Sequence, residues 1–331
     1  MEAGLTNPLL ESLTTNEQLH HGGVNALYKT TKCCCCKLAY FPLSELHFLG
    51  HWKVSIVIPI YVALWMIVCH GLFIYDTYDH FPDIARLILT YSVTGFAFLC
   101  VAIAYIAMIV VGPGYVPYDW CRTGKRKNFT WEDMMEHIVE FKDQATWAKT
   151  QADKPPRSVY GTTAFRFVLR ADHYCSWAKS WVGLKNHRYF MLTCMWACIY
   201  SVSNLGFRYW FYLSLVNDGF NIKAIPGLTT IAFLLFLAVF SCYQFVVSMY
   251  RLRKNMTSLE HWGNRVNPDW DKGCCRNFEE VCGNRRFGIC WPFPFCTCLS
   301  PMEDGFYNNI AMFESEISIQ TFSDQSIADN K

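Results

Sequence analysis

The stretch LILTYSVTGFAFLCVAIAYIAMIVV, Leu87–Val111, decides the fold. It carries no charged side chain and is longer than the ~20 residues a helix needs to cross a bilayer. Three further runs are similarly long and apolar: Val54–Tyr75, Tyr189–Val216 and Leu228–Tyr250. Helices buried in a soluble domain are rarely so long and so uniformly apolar. Composition agrees, with 52% hydrophobic and 17% charged residues in a chain of 331. The expected fold class is therefore an α-helical polytopic membrane protein, with four transmembrane helices and an irregular cytosolic loop domain. The third run carries Arg208 near its far end, followed by Tyr209, Trp210 and Tyr212. This reads as an interfacial aromatic belt with a snorkelling arginine.

Basic residues set the expected orientation. Residues 112–188 hold thirteen Lys and Arg, whereas the short connections 76–86 and 217–227 hold only Arg86 and Lys223. The basic side is expected in the cytosol, and four spans then put both termini there. The chain divides into a cytosolic N-terminal segment (1–53), helices one and two (54–111), a cytosolic loop (112–188), helices three and four (189–250) and a cytosolic C-terminal segment with its tail (251–331). Residues 1–30 read as disordered, and no apolar signal-peptide core is visible in residues 1–50. In the loop, Thr130 is a candidate helix cap, with Met134, Ile138 and Phe141 on one face. A net charge of +2 gives no reason to expect a nucleic-acid partner. Apart from His70 and Arg208 near their ends, the spans lack ionisable residues, which argues against a channel or transporter.

Seventeen cysteines suggest a disulfide framework at first sight. Those outside the spans fall in segments assigned to the cytosol, where thiols stay reduced. The run Cys33, Cys34, Cys35 and Cys36, between Lys32 and Lys37 close to the first span, reads as a set of possible S-acylation sites. Adjacent cysteines reach one tetrahedral ion poorly, so metal binding is the weaker reading there. Asp172-His173-Tyr174-Cys175 is different again. A carboxylate can orient an imidazole, the imidazole can withdraw a thiol proton, and the thiolate can attack an acyl carbonyl.

Several motifs in order resemble the DHHC family of protein S-acyltransferases. Gly112-Pro113-Gly114 is similar to the family's Asp-Pro-Gly turn after the second span, with Gly for Asp. Lys154-Pro155-Pro156-Arg157 resembles the opening of the cysteine-rich region, and fourteen residues separate Arg157 from Asp172. Asp172-His173-Tyr174-Cys175-Ser176-Trp177 is similar to D-H-H-C-P-W, and Gly183 and Asn186 to V-G-x-x-N. Thr257-Ser258-Leu259-Glu260 resembles T-T-x-E. Asn267-Pro268 and the stretch from Asn277 to Gly283 resemble the family's C-terminal segment.

The resemblance implies a palmitoyltransferase that moves a long-chain acyl group from palmitoyl-CoA to cysteines of membrane-associated proteins. It implies Cys175 as nucleophile, His173 as base and Asp172 as its orienting carboxylate. Trp177, Ser258, Glu260 and Asn277 take supporting roles, and Lys179, Lys185 and Arg188 become candidates for CoA phosphates. The expected partners are the lipid bilayer, acyl-CoA and protein substrates with cytosolic cysteines, and the expected residence is the ER or Golgi rather than the plasma membrane. One departure stands out. The family holds two zinc ions, but the aligned ligand positions here read Trp147, Thr150, Tyr160 and Phe167 for one, and Gly161, Ala164, Tyr174 and Trp181 for the other. None is a good zinc ligand. No metal is expected, and an apolar cluster is expected to hold the loop instead. The C-terminal cysteines lack paired C-x-x-C spacing and offer no clear substitute. The alternative is a catalytically weak or inactive scaffold of the same fold.

Overall fold

The computed structural model describes residues 29–33, 36–41, 46–49, 52–53, 55–78, 83–115, 157–161, 163, 166–208, 213, 217 and 225–296. The expectations for residues 1–28, for Cys34 and Cys35, for the helix at Thr130, for Trp147, Thr150 and Ala164, and for the tail lie outside them. The chain forms two compact units.

The larger unit, residues 55–111 and 172–302, contains four helices long and apolar enough to span a membrane. They are α1 (Val57–Tyr78), α2 (Ile84–Val111), α3 (His187–Phe207) and α4 (Ile225–Arg253). The protein is a multi-pass membrane protein. Helices α2 and α3 pack on each other and α3 packs on α4, around Ala97, Cys100, Val101, Ala104, Leu192, Trp196, Ala197, Tyr200 and Leu234. The small residues of α2 let the α3 backbone approach closely, as helices in lipid require. Large apolar side chains elsewhere on the spans, such as Leu64, Ile88, Val202 and Val239, face outward.

The helices overrun the apolar runs by a turn or less at most ends, because a helix continues into polar residues that hydropathy does not count. The third differs more. It stops at Phe207, and Arg208 caps it through its backbone N–H to the carbonyls of Asn204 and Gly206. Arg208 does not snorkel. Its side chain is fully buried and pairs with Asp76 of α1 at 2.8 Å. A carboxylate within reach inside the protein offers a better partner than an interface one helical turn away.

The bundle presents strands β7 (His173–Cys175) and β8 (Ser180–Val182) at one end, followed directly by α3. Asn186 locks this junction. Its Oδ1 accepts from the Gly183 N–H, and its amide group donates to the carbonyls of Met108 and Trp181. After α4 come the short helices α5 (Ser258–Trp262) and α6 (Cys274–Cys282), with 3₁₀ turns at Pro268–Trp270 and Arg285–Cys290.

In the other unit, β1 (Lys29–Cys33), β2 (Cys36–Phe41), β3 (Leu46–Leu49) and β4 (Trp52–Lys53) make an antiparallel meander. The sequence reading assigned no strands there. Cys33 and Cys36 are cross-strand partners at the end of the first hairpin. The same unit holds the hairpin of β5 (Val159–Gly161) and β6 (Arg166–Val168). Gly112 and Gly114 have φ of 68° and 85°, a region costly for other residues, and the Gly114 carbonyl accepts from Leu169 N–H at 2.9 Å.

Candidate active site

Side chains along a strand alternate between faces, so His173 and Cys175 share one face of β7 while Tyr174 takes the other. The β7–β8 register sets His173 opposite Val182 and Cys175 opposite Ser180. The Asp172 N–H bonds to the Val182 carbonyl at 2.9 Å, which extends the hairpin by one residue and fixes the carboxylate next to the imidazole.

Asp172 is buried and its carboxylate is fully engaged. Oδ2 lies 2.7 Å from His173 Nδ1 and accepts from the Ser258 hydroxyl at 2.9 Å, while Oδ1 accepts from the Ser258 N–H at 2.8 Å. Burial alone pushes a carboxyl upward. The positive field of His187 and the hydrogen bonds from His173 and Ser258 outweigh it, and Asp172 stays well below the usual carboxylate range. The Cys175 side chain, on the same strand face, interacts with the imidazole and favours its charged form. With Nδ1 committed to Asp172, Nε2 is the nitrogen left for the thiol. Burial opposes the imidazolium, but its hydrogen bonding to Asp172 and Cys175 and their negative charge outweigh burial, and the His173 pKa rises to about 9. The Phe190 ring stands edge-on to the imidazole, with centroids 4.7 Å apart, and restricts its rotation. Cys175 is buried.

Ser258 owes its position to a capping box at the start of α5. The Thr257 hydroxyl accepts from Glu260 N–H, and the Glu260 carboxylate accepts from Thr257 N–H. Glu260 thus reaches the site through the α5 cap that holds Ser258. Asn277 is buried on α6 and donates to the Arg253 carbonyl and to Asp271, while accepting from Lys272 N–H. It ties α6 to the end of α4. Trp177 is half-exposed, and its carbonyl accepts from the Tyr105 hydroxyl at 2.8 Å.

Two arginines take roles that the sequence reading did not assign: Arg251 was not singled out, and Arg188 was a candidate for CoA phosphates. Arg251, in the last turn of α4, donates to Ser258 Oγ at 2.6 Å and lies over the Trp262 ring. Guanidinium cannot accept a hydrogen bond, so Ser258 must accept from Arg251 and send its own proton to Asp172. No sequence signal marks this role, since the RLRK cluster looks like any juxtamembrane basic run. Arg188 is buried and donates to the carbonyls of Trp291, Phe293 and Cys296, which removes it from the candidates for CoA phosphates.

The profile of the DHHC palmitoyltransferase family matches residues 140–265. Among similar proteins, probable protein S-acyltransferase 12 of Arabidopsis thaliana is 26% identical over 73% of this chain and 87% of its own length. Palmitoyltransferase ZDHHC3-A of Danio rerio is 26% identical over 65% of this chain and 70% of its own. Probable protein S-acyltransferase 13 of Arabidopsis thaliana is 26% identical over 59% and 68%. Residues 140–265 carry a DHHC palmitoyltransferase domain, and the named relatives support the same assignment. As a DHHC enzyme it is a protein-cysteine S-palmitoyltransferase, with an acyl-CoA and a protein as its two substrates.

The zinc expected of a DHHC protein does not fit the residues present. Of the eight positions, Tyr160, Gly161, Phe167, Tyr174 and Trp181 are described. Tyr160 and Phe167 are cross-strand partners on the β5–β6 hairpin with rings 5.4 Å apart, edge to face. Tyr174 and Trp181 are cross-strand partners on β7–β8 with rings 5.8 Å apart, again edge to face. Each hairpin carries an aromatic pair at positions that align with the family's metal donors. Burial and the nearby Cys175 sulfur push the Tyr174 phenol upward, so it remains neutral and a poor ligand. Among the described residues no three His, Cys, Asp or Glu side chains gather as a metal site.

Proposed function

We propose that this palmitoyltransferase works through a covalent acyl-thioester on Cys175. His173, bonded to Asp172 and sharing one face of β7 with Cys175, is the observation that supports this reading. The imidazole takes the thiol proton, and Asp172 holds the tautomer and balances the imidazolium charge. The thiolate attacks the acyl-CoA carbonyl. The carbonyl carbon gains a bond to Cys175 sulfur and loses its bond to CoA sulfur, and the CoA thiolate takes the proton from His173. A substrate cysteine then gives its proton to His173 and displaces Cys175, which returns as thiolate and thiol to the starting state. Ser258, Glu260 and Asn277 are positioning residues in this scheme, and the half-exposed Trp177 borders the thioester.

A scaffold that had lost catalysis would have no need of so fully bonded a buried Asp172. The basic loop supports a cytosolic active site with both termini on that side, and the family supports an ER or Golgi residence. Cys33 to Cys36 remain candidate acylation sites. The domain is proposed to fold without zinc. The decisive experiment is mass spectrometry of purified protein incubated with palmitoyl-CoA. A hydroxylamine-sensitive acyl group on Cys175 is expected, and Cys175→Ser should remove both this label and transfer to protein. Wild-type labelling in Cys175→Ser would overturn the assignment.

A further inference from the structure

Cys290-Trp291-Pro292-Phe293-Pro294-Phe295-Cys296 begins on the last residue of the final 3₁₀ turn and continues as irregular backbone, yet it does not pack where a cytosolic loop would. Trp196, about halfway along α3, donates its indole N–H to the Pro292 carbonyl. The Phe293 ring lies 6.2 Å from Trp196 and 6.3 Å from Phe96, which stands near the middle of α2. Phe293 joins the core shared by the two spans. Helical side chains lean back toward the helix start, so the Trp196 indole sits somewhat nearer the β8 end than its Cα. Even so, Phe293 is well inside the length of both membrane helices.

Irregular backbone at membrane depth is tolerated only where protein satisfies its polar groups. This segment meets that demand in three ways. Pro292 and Pro294 have no N–H to satisfy. The N–H groups of Trp291, Phe293 and Cys296 bond to the carbonyls of Gly288, Cys290 and Phe293. The buried Arg188 guanidinium donates to the carbonyls of Trp291, Phe293 and Cys296, and Trp196 takes that of Pro292. Outward, the segment presents rings rather than charge. Phe295 stacks on Phe293 at 5.4 Å and is half exposed, and Ile289 just before the segment is 90% exposed. Phe96 of α2, in ring contact with Phe293, is itself exposed outward, as are Ile199 and Val202 on α3.

We propose that Cys290–Cys296 is a re-entrant wedge seated in the bilayer against α2 and α3, with Phe295 in contact with lipid acyl chains. It rests on the four-span reading and not on the chemistry at Cys175. The test uses full-length protein in phosphatidylcholine nanodiscs, with benzoylphenylalanine placed singly at Phe295, at Val202 on α3, or at exposed Arg276 on α6. After irradiation, position 295 should form phosphatidylcholine adducts as position 202 does, about tenfold above position 276. Adduct yield at 295 no higher than at 276, or crosslinks from 295 to protein instead of lipid, would overturn the wedge. Absence of adducts at 202 would instead overturn the spanning assignment beneath it. A second measurement needs no substitution. After hydroxylamine treatment, a charged maleimide should modify the exposed Cys274 and Cys275 about tenfold faster than Cys296, and equal rates would overturn the proposal.

Discussion

Ser258 has one proton to give, and Arg251 decides where it goes. The guanidinium occupies a Ser258 lone pair, so the hydroxyl is committed to Asp172 and polarised toward it. Arg251→Met should therefore slow acylation of Cys175 about tenfold or more, since a hydrogen bond from a charged group contributes ~1.5–3 kcal/mol. Arg251→Lys should recover most of the rate, and Arg251→Met should add little once Ser258 is already Ala. Single-turnover labelling with palmitoyl-CoA checks all three, and full additivity of the two substitutions would mean that Arg251 acts elsewhere. Charge also sets a pH window. His173 is raised to about 9 from an ordinary 6.5, so its stabilising contribution is complete below 6.5 and is lost as pH rises through about 9. Asp172 is depressed, so its contribution holds at neutral pH and is lost only in acid. Thermal unfolding of Asp172→Asn against wild type should show a difference that shrinks toward the alkaline end of this range, and a constant difference up to pH 10 would contradict the His173 assignment.

At the scale of elements, two hairpins carry the departure from the rest of the family. Tyr160–Phe167 and Tyr174–Trp181 are directly opposed pairs, the geometry in which aromatic rings stabilise antiparallel strands. Phe167 is buried, and Phe167→Ala should cost ~3–5 kcal/mol as a buried aromatic truncation. Phe167→Leu, which keeps most of the volume, should cost much less. Purified protein should hold far less than one zinc per chain, and a strong chelator should leave its melting temperature and its acylation unchanged. Elemental analysis finding two zinc ions per chain would refute the replacement. The loss of donors was legible from the sequence, because it needs only residue identity and a register fixed by Arg157 and Asp172. That the substitutes would face each other in pairs was not, because register across a hairpin of three-residue strands leaves no periodicity to read. The strands of residues 29–53 were missed for a related reason. The cysteine run and the nearby apolar residues dominate that stretch, and no alternating pattern survives in it.

Across the whole membrane unit, hydrogen bonds label its two ends. Met108 with Asn186 and Asp172 with Ser258 join the ends of α2 and α4 to the start of α3, while Asp76 and Arg208 join the ends of α1 and α3 at the opposite pole. Four alternating spans require this arrangement, and hydropathy sufficed to foresee it. Hydropathy could not foresee where the arginines point. Arg188 and Arg208 both lie at the ends of an apolar run, where a water-facing charge and a buried one look alike in sequence, and each finds partners from segments over a hundred residues away. The Asp76–Arg208 pair follows the arithmetic of buried charges. Among the described residues Arg208 Nε and Nη2 have no hydrogen-bond partner, while Nη1 contacts Asp76 and the guanidinium lies over the Phe73 ring. Removing either partner leaves an uncompensated charge inside the bundle, and Asp76→Ala or Arg208→Ala should each cost ~3–5 kcal/mol. Replacing both by apolar residues of similar size, Asp76→Leu with Arg208→Met, should recover most of that loss, because desolvation of both charges disappears together. Thermal unfolding in detergent micelles gives the comparison. A double variant as unstable as the two single losses added together would show that the two side chains act independently, whereas a double variant near wild type would show that the far pole of the bundle needs the ends of α1 and α3 packed, and not charged.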